Sequence, residues 1–253
     1  MASGCLEAIG SWIVTHSYEL KSFFVAYFSY LTVLFIIRWA HLSYYMNIPL
    51  NELWKGIIGN LGRFYSPDYY TASIFKSLSG YGSRKFLANY YQTIYVKIWN
   101  KVNIYVSIFC YVIMLMAINN TYVFSILFWL SFVRFFSRCS EISIAFFHDV
   151  ISKPERSIQK RNTFLTKYER VRLAVTSYFE IYFLSAAMYL TNKPFTGSWL
   201  SSVVDTLSVG SLTNVGRLVT EPTTGNEVYA FVQVFTTLVL VIMSLAVYLG
   251  REK

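Results

Sequence analysis

The stretch VNIYVSIFCYVIMLMAI, residues 102–118, then Asn119, Asn120 and Thr121, then YVFSILFWLSFV, residues 122–133, decides the class of fold. The first run carries no charged side chain, and a helix of about 17–25 predominantly apolar residues is what a bilayer core requires. The second run continues to Arg134 and Arg138. Two apolar runs split by so short a polar turn predict a transmembrane helical hairpin with its tip outside the cell. Asn119-Asn-Thr is formally a glycosylation sequon, but it sits in a loop held tight against the membrane.

Working outward toward the C-terminus, LAVTSYFEIYFLSAAMYL (Leu173 to Leu190) and EVYAFVQVFTTLVLVIMSLAVYL (Glu227 to Leu249) predict two further spans. Toward the N-terminus, SFFVAYFSYLTVLFII between Lys21 and Arg38 is shorter, yet its flanking side chains can snorkel to the interface. The expected fold class is therefore all-α, a polytopic transmembrane bundle of about 4–5 spans. Composition agrees: 55% of residues are hydrophobic, 19% aromatic and 14% charged, with a mean hydropathy of +0.43. An average soluble chain carries about 25% charge, and a compact core of this length has no room for 21 Phe, 21 Tyr and 6 Trp. Intrinsic disorder and a secreted disulfide scaffold are excluded. Cys5, Cys110 and Cys139 are an odd number without CxxC spacing, and two of them lie in or beside apolar runs, where Cys behaves as a small hydrophobe, so no disulfide framework is expected. The first twenty residues have acids at Glu7 and Glu19 and no basic cluster ahead of an apolar stretch, unlike a cleaved signal peptide.

The net charge of +9 would suggest nucleic acid in a soluble protein, but in a membrane protein Lys and Arg gather on the cytoplasmic side. No nucleic-acid partner is expected. Residues 42–101 carry Lys55, Arg63, Lys76, Arg84, Lys85, Lys97 and Lys101 against Glu52 and Asp68, with turn signals such as SPD and SGYGS. Tyr69, Tyr70, Tyr90, Tyr91 and Tyr95 between these basic residues suit amphipathic helices at headgroup level; a cytosolic hairpin packed on itself is the alternative. Residues 134–172 hold nine basic side chains against four acids, again a cytoplasmic pattern. Both basic segments fall on one side with an even number of crossings between them. The C-terminal Arg251-Glu-Lys joins them, which predicts a multi-pass protein of the cell membrane with a cytoplasmic C-terminus. Arg134 and Arg138 stand four apart, whereas a voltage sensor repeats Arg every third residue several times; they read as snorkelling side chains at a cytoplasmic helix end.

The connection between the last two spans, TNKPFTGSWLSSVVDTLSVGSLTNVGRLVTEPTTGN (residues 191–226), is too long and too apolar in its middle for a solvent loop. Trp199 to Val209 reads as a short helix with Gly197 and Ser198 as cap candidates. It has the length to enter the membrane halfway and return. Non-helical backbone at that depth is tolerated only where protein buries it or it lines a water-filled cavity, so a re-entrant helix followed by a glycine-containing extended segment points to a pore.

Ser211-Leu-Thr-Asn-Val-Gly216, then Glu221-Pro-Thr-Thr224, then an uninterrupted apolar helix resembles the pore loop and inner helix of the potassium-channel superfamily, whose pattern is TLTTVGYGD followed by a spacer with Pro-Thr-Thr. The Gly216 to Pro222 spacing matches. The resemblance covers residues 173–250, about a third of the chain. It implies an outer helix, a pore helix, a filter formed by Thr213, Asn214, Val215, Gly216, Arg217 and Leu218, and an inner helix. It also implies a homotetramer around a central pore, with inorganic ions as the permeant species and backbone carbonyls of Asn214, Val215 and Gly216 replacing part of an ion's hydration shell. The departures are as informative. The family's second filter glycine is Leu218, which resists positive φ, and its outer Asp is Val219, so strong potassium selectivity is not expected. Arg217 either rings the outer mouth and disfavours cations, or clamps the filter from behind by pairing with Glu221, Glu227 or a neighbouring subunit's Asp205. A second frame, with Ser202-Val-Val and Ser208-Val209-Gly210 in the filter part, leaves too many residues before the inner helix and loses the Pro-Thr-Thr match.

Asp205, Glu180 and Glu221 are candidates to support the pore. Glu180 is an ionisable group in mid-span, by default a functional residue, for which a hydrogen bond to Ser or Tyr of a neighbouring helix is the favoured reading over an ion pair with Arg217 or Lys193. The last span has no glycine before Gly250, leaving Thr236 and Thr237 to soften it. Arg156, Lys160 and Arg161 are candidate contacts for a cytoplasmic protein partner or for anionic membrane lipids. No enzyme is expected: His16, His41 and His148 are scattered, and Cys139, Glu141 and His148 fit no metal template. No catalytic residue, metal or cofactor is predicted. The chain then divides into an N-terminal segment with the first span (1–41), a basic cytoplasmic or interfacial helical segment (42–101), a transmembrane hairpin reaching into the cytoplasm (102–150), a basic linker (151–172) and a channel-like pore domain (173–253). The rival from another class is a non-conducting membrane subunit whose degenerate loop only holds the oligomer together while its basic segments recruit a soluble partner.

Overall fold

The computed structural model describes residues 17–45, 50–79, 85–150, 164–191, 199–213 and 226–249. Among these the chain forms eight α-helices and one 3-10 turn, with no strand. They are α1 (Ser17–Tyr45), α2 (Leu50–Gly59), the 3-10 turn (Leu61–Arg63), α3 (Pro67–Leu78), α4 (Lys85–Met116), α5 (Thr121–Val150), α6 (Lys167–Thr191), α7 (Trp199–Gly210) and α8 (Asn226–Leu249). Four helices, over Glu19–Tyr44, Ala88–Met116, Val123–Ala145 and Tyr168–Leu190, are long and apolar enough to cross a membrane. The short run between Lys21 and Arg38 thus belongs to a full-length span. α8 has 24 residues, of which Glu227–Ile242 form a shorter apolar stretch.

Local chemistry explains the boundaries. No Gly or Pro occurs between Lys85 and Val150, so α4 begins well before Val102 and α5 continues well past Val133. The only interruption is the Ala117–Asn119 turn, after which Asn120 Oδ1 accepts from the Val123 amide at 3.2 Å and caps α5. The SPD turn signal is a helix start: Ser66 is the N-cap of α3, accepting from the Tyr69 amide, and Pro67 occupies the first turn. α7 ends with Thr213 N–H bonded to Ser208 O and Leu212 N–H to Val209 O, both at 3.0 Å. That is the Schellman pattern, and Leu212 holds the left-handed position at φ 61° where glycine is usual. Ser208, Val209 and Gly210 are the last turn of this helix, which rules out the second filter frame. A Cβ at Gly210 would stand 3.0 Å from Tyr178 Oη, so a larger residue there would push the tyrosine aside.

α6 is the hub. It packs on α4, α5, α7 and α8, and 61% of its apolar window is buried, against 11% for α1. Ala186 and Ala187 are fully buried beside Met114 of α4, small residues that let two spans approach closely. A second core joins Phe135 and Ile142 of α5 to Ile181 and Leu184 of α6 and to Tyr229 and Leu240 of α8. The third joins Leu42 of α1, Leu53 of α2, Ile74 and Phe75 of α3 and Trp99 of α4. α3 packs against α1, α4 and α5, and its Asp68 and Thr71 are fully buried. Cys110 and Cys139 are free thiols.

Candidate functional site

Tyr30, Asn103, Arg134 and Glu180 each lie within two residues of the middle of their own span. They converge. Arg134 donates to Tyr30 Oη at 2.7 Å and to the Asn103 carbonyl at 3.0 Å, and its Nη2 stands 3.5 Å from Glu180 Oε1. One turn further along α5, Arg138 makes a bidentate pair with Glu180, Nε to Oε1 and Nη2 to Oε2, both at 2.6 Å. Its remaining Nη1 goes to Glu141. The Tyr30 hydroxyl, accepting from Arg134, donates to Asp68 Oδ2 at 2.8 Å. Arg38 completes the cluster, donating to Tyr95 Oη at 3.1 Å, lying 3.9 Å from Asp68 and stacking 4.7 Å above the Trp99 ring.

The cluster contains three guanidinium groups, Arg38, Arg134 and Arg138, and three carboxylates, Asp68, Glu141 and Glu180. It is therefore neutral as a whole, the condition under which charges survive away from water. All are buried except Glu141, whose side chain is 16% exposed. Ser137 seals the junction with α3, its Oγ accepting from the Asp68 amide at 2.8 Å while Ser66 Oγ donates to the Ser137 carbonyl at 2.9 Å. The network thus ties α1, α3, α4 and α5 to α6.

This corrects the reading of Arg134 and Arg138 as side chains snorkelling at a helix end. Both are 3% exposed, and the helix continues past them as Phe135, Phe136, Ile142, Ile144 and Ala145. Nor does Glu180 rely on Ser or Tyr of a neighbour: its partner is Arg138. The signal was present, since an uncompensated carboxylate in mid-span demands a counter-charge at equal depth, and α5 offers one. Removing Arg134, Arg138 and Glu141 from the loop count still leaves seven basic side chains against three acids in 134–172, so the charge asymmetry stands.

A second constellation surrounds α7, a helix of 12 residues and about 18 Å at 1.5 Å per residue, too short to cross a bilayer. Side chains from the long helices hold it. Gln233 of α8 donates to the Thr206 carbonyl at 3.0 Å and accepts from Tyr189 Oη of α6 at 3.0 Å, and Tyr182 of α6 donates to the Val203 carbonyl at 3.0 Å. Ser202 meets Tyr111 of α4 at 3.4 Å. Asp205 and Thr206 are buried on this helix. Thr213 is exposed just beyond it, its Oγ1 2.9 Å from Ser211 Oγ. Glu180 pairs with Arg138 and Arg134 of α5, whereas Tyr182 and Tyr189 on the same helix bond Val203 of α7 and Gln233 of α8. Asn214, Val215, Gly216, Arg217, Leu218 and Glu221, like Arg156, Lys160 and Arg161, lie outside the described residues. Thr236 and Thr237 are buried, and Thr236 Oγ1 donates back to the Val232 carbonyl at 2.8 Å. Among the described residues no group of three or more His, Cys, Asp or Glu could hold a metal ion.

Comparison of the chain with protein families, with characterised proteins and with solved structures gave no match. The class of protein is set by its own architecture, an all-α bundle with four long apolar helices of membrane-spanning length.

Proposed function

We propose that the chain is a channel-like integral membrane protein that assembles as a tetramer and lets ions pass passively, without strong potassium selectivity, along the segment that follows α7. The observation that carries this reading is the docking of α7. A helix too short to span is packed on one face against two long ones and held by side-chain hydrogen bonds to its backbone carbonyls, the role a pore helix requires. The outward faces of this unit are apolar, with Val204 and Leu207 on α7 and Phe231 and Phe235 on α8 exposed in the single chain. Copies of the chain packed around an axis would cover them. The midplane charge cluster fits as the joint through which the basic segments act on α6, and hence on α7 and α8. Soluble partners or anionic lipid at Arg156, Lys160 and Arg161 would then bias the pore.

Leu218, in place of the second filter glycine, favours the rival in which the loop serves assembly alone and the basic segments recruit a partner. Purified protein in liposomes separates the two. A conductor loses or changes its ion flux when Gly216 is replaced by Val with the tetramer intact, whereas an assembly subunit shows no flux in either form and keeps its mass.

A further inference from the structure

α2 and α3 lie beside α1 rather than beyond its end. Phe64 packs its ring 5.6 Å from that of Tyr27, Asp68 accepts from Tyr30 Oη at 2.8 Å, and Phe75 meets Phe35 edge-on at 5.1 Å. All three α1 partners fall in the run between Lys21 and Arg38, which holds no charged side chain. α3 therefore runs alongside α1 in the same direction, and its first turn meets Tyr30 near the middle of that span. α5 gives the same depth. The Asp68 amide donates to Ser137 Oγ, three residues or about 5 Å past Arg134 at the centre of the Val123–Ala145 span. α2 runs antiparallel to α3, with the Ile57 carbonyl accepting from Tyr70 Oη at 3.2 Å and Gly56 facing Ile74, whose Cγ2 would stand 3.3 Å from a Cβ there. The turn between them, residues 60–66, is thus held halfway along the spans, while Leu50 and Leu78 sit toward the end at which α1 finishes and α4 begins.

The two helices are built for that depth. On α2 and the turn that follows it, Trp54, Ile58, Leu61 and Tyr65 recur at spacings of four, three and four, and each is more than half exposed. Leu53 and Ile57 on the other side pack into the core shared with α1, α3 and α4. No charged side chain occurs between Lys55 and Arg63, and Lys55 pairs with Glu52 in the first turns at 2.6 Å. A helix apolar on both sides suits a place between protein and acyl chains, not the boundary between acyl chains and water. α3 is divided differently. Tyr70, Ile74, Phe75 and Leu78 are buried in the same core, whereas Tyr69, Ala72, Ser73, Lys76 and Ser77, at helical spacing along the other face, line a cavity of about 600 Å³.

α4, α5 and α6 close this cavity with Asn100, Asn103, Arg138, Glu141 and Ser177 among its lining. Cavities that stay dry are apolar; one with polar walls and this volume holds about twenty waters at ~30 Å³ each. Arg63, at the hairpin turn, is exposed and lines the same space, bonded to Asn60 and lying 5.2 Å above the Tyr69 ring. An exposed guanidinium halfway across a bilayer is costly unless water reaches it. Non-helical backbone at that depth carries the same requirement, since it is tolerated only where protein buries it or it lines a water-filled cavity.

We propose that residues 50–79 form a second re-entrant hairpin, with acyl chains against Trp54, Ile58, Leu61 and Tyr65 and, behind α3, a water-filled vestibule that opens at the end of the basic segments and brings water and small ions to the Arg138–Glu141 pair within a single subunit. The vestibule is separate from the segment after α7, so the inference goes beyond the pore reading and does not depend on it. A protein that never conducts would still hold the hairpin and its water.

The test uses the full chain in liposomes, carrying Cys5→Ser, Cys110→Ser and Cys139→Ala, with one nitroxide label at a time on Ile58→Cys, Leu61→Cys or Ser73→Cys. Spin relaxation by oxygen, which concentrates among acyl chains, is compared with relaxation by a nickel chelate confined to water. Oxygen prevails at Ile58 and Leu61, and the Leu61 label lies more than about 10 Å inside the hydrocarbon, whose half-thickness is about 15 Å. The nickel-to-oxygen ratio at Ser73 is about five-fold higher than at Ile58, because that face meets water. Ser77→Cys, one turn further along the same face, takes the place of Ser73→Cys if that variant fails to fold. Nickel prevailing at Ile58 and Leu61 overturns the inference by placing the hairpin in solvent. Poor access of both reagents to these two sites also overturns it, because a second copy of the chain then covers the face assigned to lipid. A Ser73 label reached by oxygen alone, or by neither reagent, removes the water-filled vestibule.

Discussion

Removing the carboxylate of Glu180 tests the charge cluster at its most connected point. Glu180 is fully buried and receives two hydrogen bonds of 2.6 Å from Arg138, with Arg134 at 3.5 Å. Glu180→Gln keeps the shape and deletes the charge, so three buried guanidinium groups face two carboxylates. Arg138 keeps only Glu141, and Arg134 keeps Tyr30 and the Asn103 carbonyl. Breaking a buried pair by removing one partner costs about 3–5 kcal/mol, most of it from the charge left uncompensated. Arg138→Met should cost a similar amount for the opposite reason, since it leaves Glu141 and Glu180 together. In the double variant neither orphan is complete, and the loss falls short of the sum by at least ~2 kcal/mol. Unfolding from mixed micelles by sodium dodecyl sulfate, followed by tryptophan fluorescence, measures all four corners of the cycle. Additivity within about 0.5 kcal/mol, or single losses below about 1 kcal/mol, would refute a paired and desolvated cluster.

Ser137→Ala removes the acceptor of the buried Asp68 amide and should cost about 1–3 kcal/mol in the same assay; a neutral result would mean that α3 is not docked on α5. Gln233→Leu strips the Thr206 carbonyl and Tyr189 of their partner, so amide exchange in residues 206–210 should accelerate about ten-fold or more while α4 is unchanged; uniform acceleration across all helices would argue against a local role. At Leu212, with φ 61°, the left-handed penalty of about 1–2 kcal/mol outweighs the extra chain entropy of glycine, about 0.5–1 kcal/mol. Leu212→Gly should then be neutral or stabilising and Leu212→Ile destabilising, and the reverse order of midpoints would remove the Schellman end from α7.

Much of this architecture is written in hydrophobic runs. The 102–133 hairpin, the span before α7 and the short helix from Trp199 all appear where their apolar residues and polar breaks place them, because a mainly apolar run without an internal Gly or Pro has few alternatives to a buried helix. Helix ends were less legible. Lys85 to Val102 and Arg134 to Val150 mix charge with apolar residues, and only the absence of breakers shows that each continues its span. Least legible was the cluster. Arg134 and Glu180 are separated by more than forty residues, and their equal depth emerges only once α5 is allowed to run past Val133. Asp68 stands in a segment with the composition of a cytoplasmic or interfacial helix, and nothing local to it announces that Tyr30 and Arg38 await it from another span.

The central claim is that ions cross the membrane along the segment after α7. Flux through the purified chain in liposomes, under separate potassium, sodium and chloride gradients, addresses it directly when native protein is compared with Arg217→Ala. A channel of this build passes ions with little preference for potassium over sodium, and the substitution raises cation flux if the guanidinium groups face the axis. No flux of any ion from either protein, each still a tetramer, would contradict the claim and leave a membrane subunit built for assembly and recruitment.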